Sequence, residues 1–263
     1  MRTSVIDNFK FREFFYDSVD LLKEGKLQLS AISLTANSGK GKSTFINHFK
    51  EYCSTKQVET VLIDFSVYSI TSEFELINYM YEQLCPIFGE TYFKNYLEQL
   101  NIIRESKLSQ TIFKDINMVN TSVGSVEVTN SNTNTISFSL ITNAFFKDID
   151  NLPRKIVLFF DTLDKANKEI TEIIINKILI NRKNSSYFTF VASQKKIFED
   201  TVSERYKIYN YSLPDKYFIE DYMKYAKEIK IILPSPNDLQ KIVNCWDGDP
   251  FYISIVLEPF RGN

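Results

Sequence analysis

A short run of small and basic residues near the N-terminus constrains the fold more than any other feature of the sequence. The run is Ala36-Asn37-Ser38-Gly39-Lys40-Gly41-Lys42-Ser43-Thr44. An apolar stretch of strand length, Leu27 to Ala36, precedes it, and an amphipathic helix from Ser43 to Tyr52 follows it. This order of strand, loop and helix is the context of a Walker A motif, here in a looser form with Ala36 at the usual first glycine. The segment therefore predicts a loop that holds phosphate groups.

The residue types in this loop match that chemistry. Gly39 and Gly41 permit backbone angles that turn amide N–H groups inward around an anion. The helix that begins near Lys42 adds the positive end of its dipole. We predict that Lys42 contacts the β- and γ-phosphates, that Ser43 coordinates Mg²⁺ and that Thr44 contacts the α-phosphate. Lys40 is expected to remain solvated at the edge of the site. The candidate nucleotide-binding residues of the loop are Asn37, Ser38, Gly39, Lys40, Gly41, Lys42, Ser43 and Thr44.

A second acidic motif follows a continuous apolar run of strand length at residues 155–160. A run of this kind is typical of a strand that is buried on both faces. Asp161 ends the run and is predicted to hold Mg²⁺, and Asp164 is predicted to polarise the attacking water as a general base. Thr162 stands where a glutamate is usual, so either Asp164 acts as the base or hydrolysis is slow. The simpler alternatives are a turn residue for Asp161 and a helix cap for Asp164.

The next apolar strand, at residues 187–192, ends in two polar residues. Ser193 and Gln194 follow it directly, and either is a candidate to contact the γ-phosphate. The alternative is that both are ordinary polar residues at the start of a loop.

Strand and helix patterns alternate along the first four-fifths of the chain. Strands are predicted at 27–36, 58–65, 155–160, 187–192 and 206–211, and helices at 6–25, 43–52, within 73–113, at 140–149 and at 168–181. Alternation of this kind predicts a three-layer α/β sandwich with a central parallel sheet. Together with the phosphate loop, this architecture indicates a P-loop NTPase fold. The remaining residues have helical patterns, punctuated by prolines.

These patterns predict two domains. Residues 1–212 form the core with its N-terminal helix, and residues 213–263 form a small helical lid. The core contains a polar stretch at about 115–137 that is rich in Asn, Ser and Thr. It is either a short β-hairpin near residues 125–128 or a flexible insertion.

Composition excludes several classes of protein. A net charge of -2 gives no support to a nucleic-acid-binding role. No stretch approaches the roughly 20 apolar residues needed to cross a bilayer, and the N-terminus is too charged for a secretory signal. Cys53, Cys85 and Cys245 are odd in number and widely spaced, which argues against a disulfide framework or a zinc cluster. His48 is the only histidine, so histidine-based triads are excluded. We expect a cytoplasmic protein without a membrane segment.

Three further features carry a family resemblance over nearly the whole chain. These are Phe11-Arg12-Glu13 before the first strand, the apolar strand that leads to Asp161 and Asp164, and Gly248-x-Pro250 near the C-terminus. With the phosphate loop, they resemble the STAND branch of the AAA+ P-loop ATPases, the signal-transducing NTPases with numerous domains. The resemblance implies that Arg12 lies near the nucleotide base or the start of the core, and that Pro250 contacts the nucleotide from the lid.

The resemblance also implies a function. Proteins of this branch are ATPase switches, in which ADP holds a closed monomer and ATP together with a trigger permits assembly. Bacterial examples often act in antiphage defence. This chain departs from the pattern at Gln194-Lys195-Lys196, where an arginine is common, and at Phe251, where a second sensor arginine is absent. No effector domain or sensor repeat is detectable in this sequence, so either it is a fragment of a longer protein or it is a stand-alone ATPase that works with protein partners or an effector supplied in trans. Nucleotide-dependent homo-oligomers are also expected.

Two other functions remain open at this stage. One is an AAA+ ATPase that acts on DNA as a loader or transposition regulator, which a basic stripe would favour. The other is a nucleotide-dependent scaffold without hydrolysis, which Thr162 leaves possible. The absence of an Asn/Thr-Lys-x-Asp guanine motif after the core favours ATP over GTP.

Overall fold

A five-stranded parallel sheet forms the centre of the fold. The computed structural model describes residues 9–103, 131–179, 186–214, 216–228, 230–232 and 235–260. Within these ranges the strand order is β2-β3-β4-β1-β5, and every neighbouring pair is parallel. The strands are β1 Ala31–Thr35, β2 Glu59–Asp64, β3 Ile156–Asp161, β4 Tyr187–Ser193 and β5 Ile208–Ser212. The five predicted strands and the α/β class are confirmed, although β1 begins four residues later than predicted.

Helices connect and flank these strands. They are α1 Phe9–Lys23, α2 Lys42–Thr55, α3 Glu73–Phe88, α4 at 94–103, α5 Ser131–Ile149, α6 Lys168–Ile173, α7 Asp200–Tyr206, α8 Ile219–Glu228, α9 Pro236–Cys245 and α10 Pro250–Leu257. Residues Ile174–Leu179 continue α6 as a π-helix. In the described part of the chain, no helix is both long and apolar enough to span a membrane.

The chain divides into two compact units. The first comprises residues 1–69, 154–167 and 187–263, and it holds the sheet together with the C-terminal helices. The second comprises residues 70–153 and 168–186 and is helical where it is described.

Aromatic side chains fix α1 and α2 against one face of the sheet. Phe15 of α1 stacks on Phe49 of α2 with ring centroids 3.8 Å apart, and Phe49 meets Phe190 of β4 edge-on at 5.4 Å. Phe11 stacks on Tyr211 of β5 at 4.3 Å. Stacked and edge-on aromatic pairs are favourable beyond the apolar area that they bury. The packing therefore anchors α2, and with it the loop from which α2 begins.

The C-terminal helices have a small core of their own. Its buried members are Tyr217, Tyr222, Leu239, Val243, Ile253 and Leu257. The predicted helical character of this region is confirmed, whereas a domain boundary at residue 213 stays a prediction.

In the second unit, one buried carboxylate organises the start of α4. Asp148 at the end of α5 accepts hydrogen bonds from the backbone N–H groups of Asn95 and Tyr96, the latter at 2.8 Å. Lys177 of the π-helix pairs with Glu73 of α3 at 2.6 Å. Asp148 and Glu73 are buried, and a buried carboxylate without such partners would destabilise the fold.

The helical patterns predicted within 73–113 are confirmed by α3 and α4, which are separated at Gly89, whose φ of 90° is in the left-handed region. Two points of the sequence analysis need correction. The polar insertion does not extend to residue 137, because α5 already begins at Ser131; residues 115–130, including the proposed hairpin, lie outside the described residues. Helix α7 was not predicted from the sequence.

Gly248 occupies a turn that no other residue fits without strain. Its φ is 70°, and a Cβ built there would lie 2.5 Å from the carbonyl oxygen of Tyr217. We expect Gly248→Ala to lower the free energy of unfolding by about 2–4 kcal/mol, since a left-handed backbone and an overpacked contact add together. Gly25→Ala is the matched control, with φ of 71° and nothing within 4 Å, and should cost about 1 kcal/mol. Urea denaturation measures both, and equal costs would contradict the steric explanation.

Candidate functional site

The phosphate loop lies at the carboxyl end of β1, where α2 begins. Gly39 and Gly41 have φ values of 76° and 87°, the left-handed conformations that glycine adopts readily. Gly41 is the N-cap of α2, and its carbonyl accepts the N–H of Phe45 at 3.0 Å. The backbone therefore turns where the sequence predicts, and the first N–H groups of α2 face the loop.

Lys42 is held inside the loop by two backbone carbonyl groups. Its Nζ donates to Ala36 O at 2.6 Å and to Asn37 O at 3.0 Å, and the residue is buried. The pKa of Lys42 lies below its ordinary value, because burial lowers it more than the nearby carboxylates of Asp161 and Asp164 raise it. The ammonium thus sits in a partly desolvated position, where an anion gains more from it than in water.

Asp161 and Ser43 meet although 118 residues separate them in sequence. Ser43 Oγ donates to Asp161 Oδ2 at 2.7 Å. The pKa of the Asp161 carboxyl lies above its ordinary value. Burial is the main cause and the carboxylate of Asp64 adds to it, whereas the hydrogen bond from Ser43 acts in the opposite direction. Mg²⁺ in nucleotide sites prefers one or two protein oxygen ligands and takes the rest from phosphates and water. A hydroxyl and a buried carboxylate in contact fit that donor set.

Asp164 joins the ends of β3 and β4. It lies in a 3₁₀ turn, Leu163–Lys165, and its Oδ1 accepts the backbone N–H of Gln194 at 2.7 Å. Ser193 is buried, and its Oγ donates to Lys195 O at 2.6 Å, whereas Gln194 is exposed. Of the two candidate sensor residues, Gln194 is therefore the one whose side chain faces solvent beside Asp164.

The other predicted residues occupy separate places around the loop. Asn37 and Ser38 are exposed within it, and Thr44 is half-buried in the first turn of α2. Arg12 is half-buried on α1, and Pro250 begins α10. Their roles in binding nucleotide stay predictions.

Two acidic residues of this region were missed from the sequence. Asp64 ends β2 and is the register partner of Asp161 on β3. Asp249 Oδ2 accepts a hydrogen bond from Lys40 Nζ at 2.6 Å, so Lys40 is paired, not simply solvated as predicted. Asp64 had a usable signal, since it stands near the end of a predicted strand and parallel strands end at a common edge. Asp249 had none, because its partner is 209 residues away.

Known structures share this fold. The Walker-type ATPase PABY2304 of Pyrococcus abyssi superposes with a TM-score of 0.51 at 14% identity, covering 95% of this chain and 66% of that chain. Cdc6p from Pyrobaculum aerophilum gives 0.54 at 10% identity, covering 97% and 61%. Drosophila ORC bound to DNA gives 0.55 at 11% identity, covering 97% and 55%. The chain thus spans between 55% and 66% of the length of these structures, and the likeness concerns the fold alone.

The sequence comparisons identify the family. No curated protein sequence matches the chain significantly. Residues 16–233 match the family described as the KAP family P-loop domain. Since that match covers most of the sequence, as well as the phosphate loop and both acidic residues at the end of β3, the chain belongs to the KAP family of P-loop NTPases.

Proposed function

We propose that the chain binds ATP with Mg²⁺ in the phosphate loop, hydrolyses it slowly, and acts in the cytoplasm as a nucleotide-controlled switch. The observation that carries the proposal is the meeting of Ser43 with Asp161 beside Lys42, at the common edge of the parallel strands. A hydroxyl, a carboxylate and an ammonium in this arrangement suit a metal-bound triphosphate.

Each residue has a distinct role in the proposed reaction. Lys42 exchanges its two carbonyl acceptors for the β- and γ-phosphate oxygens. Ser43 and Asp161 would hold Mg²⁺, and the bound ion would neutralise phosphate charge. Asp164 accepts the proton of the attacking water, and the N–H of Gln194 fixes the orientation of its carboxylate.

A regulatory purpose rests on three supports. Thr162 replaces the glutamate that usually activates water, which favours slow turnover. The sequence resembles STAND switches, and the C-terminal helices reach the loop through Asp249. We propose that the nucleotide state controls assembly into homo-oligomers or engagement of a protein partner or effector, with antiphage defence as the setting that the resemblance suggests.

A DNA-acting function has weaker support. One of the similar structures is described as bound to DNA, but at 11% identity that likeness concerns the fold alone. The net charge of -2 supplies no general attraction to a polyanion.

Lys42→Ala tests the binding site. We expect the affinity for Mg²⁺-ATP to fall at least about tenfold, because the charge on the β- and γ-phosphates is lost. Isothermal titration calorimetry measures the dissociation constant. Lys50→Ala, which removes the same charge two turns further along α2, is the control and should leave affinity nearly unchanged. Tight ATP binding by Lys42→Ala would refute the assignment of the loop.

Asp164→Asn separates catalysis from binding. The amide oxygen can still accept the N–H of Gln194, so the local structure is retained while the base is lost. Turnover should fall by about 10²–10⁴-fold with the dissociation constant for ATP within a few-fold of wild type. Phosphate release under single-turnover conditions measures the rate, and an unchanged rate removes Asp164 from the mechanism.

The switch itself is tested by particle size. Light scattering after size exclusion should show a monomer with ADP and a larger species with a non-hydrolysable ATP analogue. Lys42→Ala should show no such difference. If the nucleotide controls engagement of a protein partner instead, no homo-oligomer will form. In that case, backbone hydrogen exchange in α8–α10 must differ between the two nucleotides. Identical size and exchange in both nucleotides would leave only a binder or scaffold.

A further inference from the structure

One ion pair connects the phosphate loop to the C-terminal helices. Lys40 Nζ lies 2.6 Å from Asp249 Oδ2, and the two side chains are 9% and 31% exposed. The neighbouring pair between Lys216 and Asp247 is far more exposed, at 62% and 79%. Partial burial weakens solvent screening, so the Lys40–Asp249 pair is the stronger of the two.

The backbone presents Asp249 in a fixed turn. Its N–H donates to Trp246 O at 2.9 Å, and its carbonyl accepts the N–H of Ile253 at 3.1 Å. Just before it, Gly248 O accepts both the N–H of Tyr217 and the hydroxyl of Tyr222, the latter at 2.9 Å. The backbone of Asp249 is therefore held in place by the C-terminal helices, and its pair with Lys40 ties the phosphate loop to that turn.

A cavity beside the pair leaves room for such movement. It has a volume of about 430 Å³, and its lining includes Asn37, Lys40, Trp246, Asp249 and Tyr252. Trp246 and Tyr252 stack on one wall with ring centroids 4.9 Å apart. Lys40 and Asp249 thus meet at the edge of an open space, where their separation requires no disruption of a packed core.

We propose that Asp249 is an autoinhibitory counter-charge, which holds Lys40 while the loop is empty and is displaced when a nucleoside triphosphate binds. The inference rests on the proposed function and adds its regulation. The loop amides, the α2 dipole, Lys42 and Lys40 together form a site for anions. Asp249 is the anion that the chain itself supplies to Lys40. A triphosphate carries more negative charge, attracts Lys40 and repels Asp249.

Displacement links the nucleotide to the C-terminal helices. If bound triphosphate weakens the Lys40–Asp249 pair by some factor, the pair must weaken triphosphate binding by the same factor. Release of Asp249 removes one of the contacts that join the turn before α10 to the phosphate loop. The pair therefore couples triphosphate binding to the C-terminal helices and lowers the affinity of the loop for triphosphate.

The experiment is a double-mutant cycle in the full chain, read by calorimetric titration with Mg²⁺-ATP. Asp249→Asn should raise affinity roughly three- to tenfold. In a Lys40→Gln background the same substitution should change affinity less than about twofold, because no pair remains to be broken. Asp247→Asn removes an equal charge two residues away and should leave affinity unchanged. Asp249→Ser, which keeps a side chain that can cap α10, replaces Asp249→Asn if that variant unfolds.

Thermal unfolding without nucleotide supplies the second readout. Asp249→Asn and Lys40→Gln should each lower the melting temperature, and the double variant should melt no lower than the worse single variant. An affinity gain that persists in the Lys40→Gln background shows a general charge effect and overturns the proposal, as does unchanged or weaker binding by Asp249→Asn. If neither wild type nor Asp249→Asn binds nucleotide, the proposed function fails as well; if wild type binds and Asp249→Asn gains nothing, only the autoinhibitory role fails.

Discussion

The hydrogen bond between Ser43 and Asp161 is the contact on which the site depends. It joins the first turn of α2 to the end of β3, and β4 lies between β1 and β3 in the sheet. The sheet makes this contact possible because parallel strands bring their carboxyl ends to one edge. The aromatic packing of α1 and α2 then keeps the loop at that edge.

Lys42, Ser43 and Lys40 of the phosphate loop all have acceptors within the protein. Lys42 contacts two backbone carbonyl groups, Ser43 contacts Asp161, and Lys40 contacts Asp249. Binding of a nucleotide is therefore an exchange of partners, and its net free energy is smaller than the sum of the new contacts. Of these three contacts, only the one with Asp249 joins the loop to the C-terminal helices.

Local signals account for what the sequence predicts well. Continuous apolar runs mark β3 and β4, glycines at two fixed positions mark the loop, and Asp161 follows directly from the end of its strand. The contacts of Asp164 with Gln194 and of Lys40 with Asp249 depend on how distant elements are arranged in space, which no local pattern records. Helix α5 begins among Asn, Ser and Thr residues that favour turns, so local propensity gives the wrong start.

The position of β4 also sets a length scale. Neighbouring strands lie about 4.8 Å apart, so the strands that carry the loop and Asp161 are separated by roughly 9.6 Å. Hydrogen bonds of β4 to both neighbours fix this backbone distance, so side-chain substitution leaves it unchanged. Substitutions at Ser43 or Asp161 therefore alter the groups that meet across β4, while the spacing of the strands that carry them is a property of the sheet.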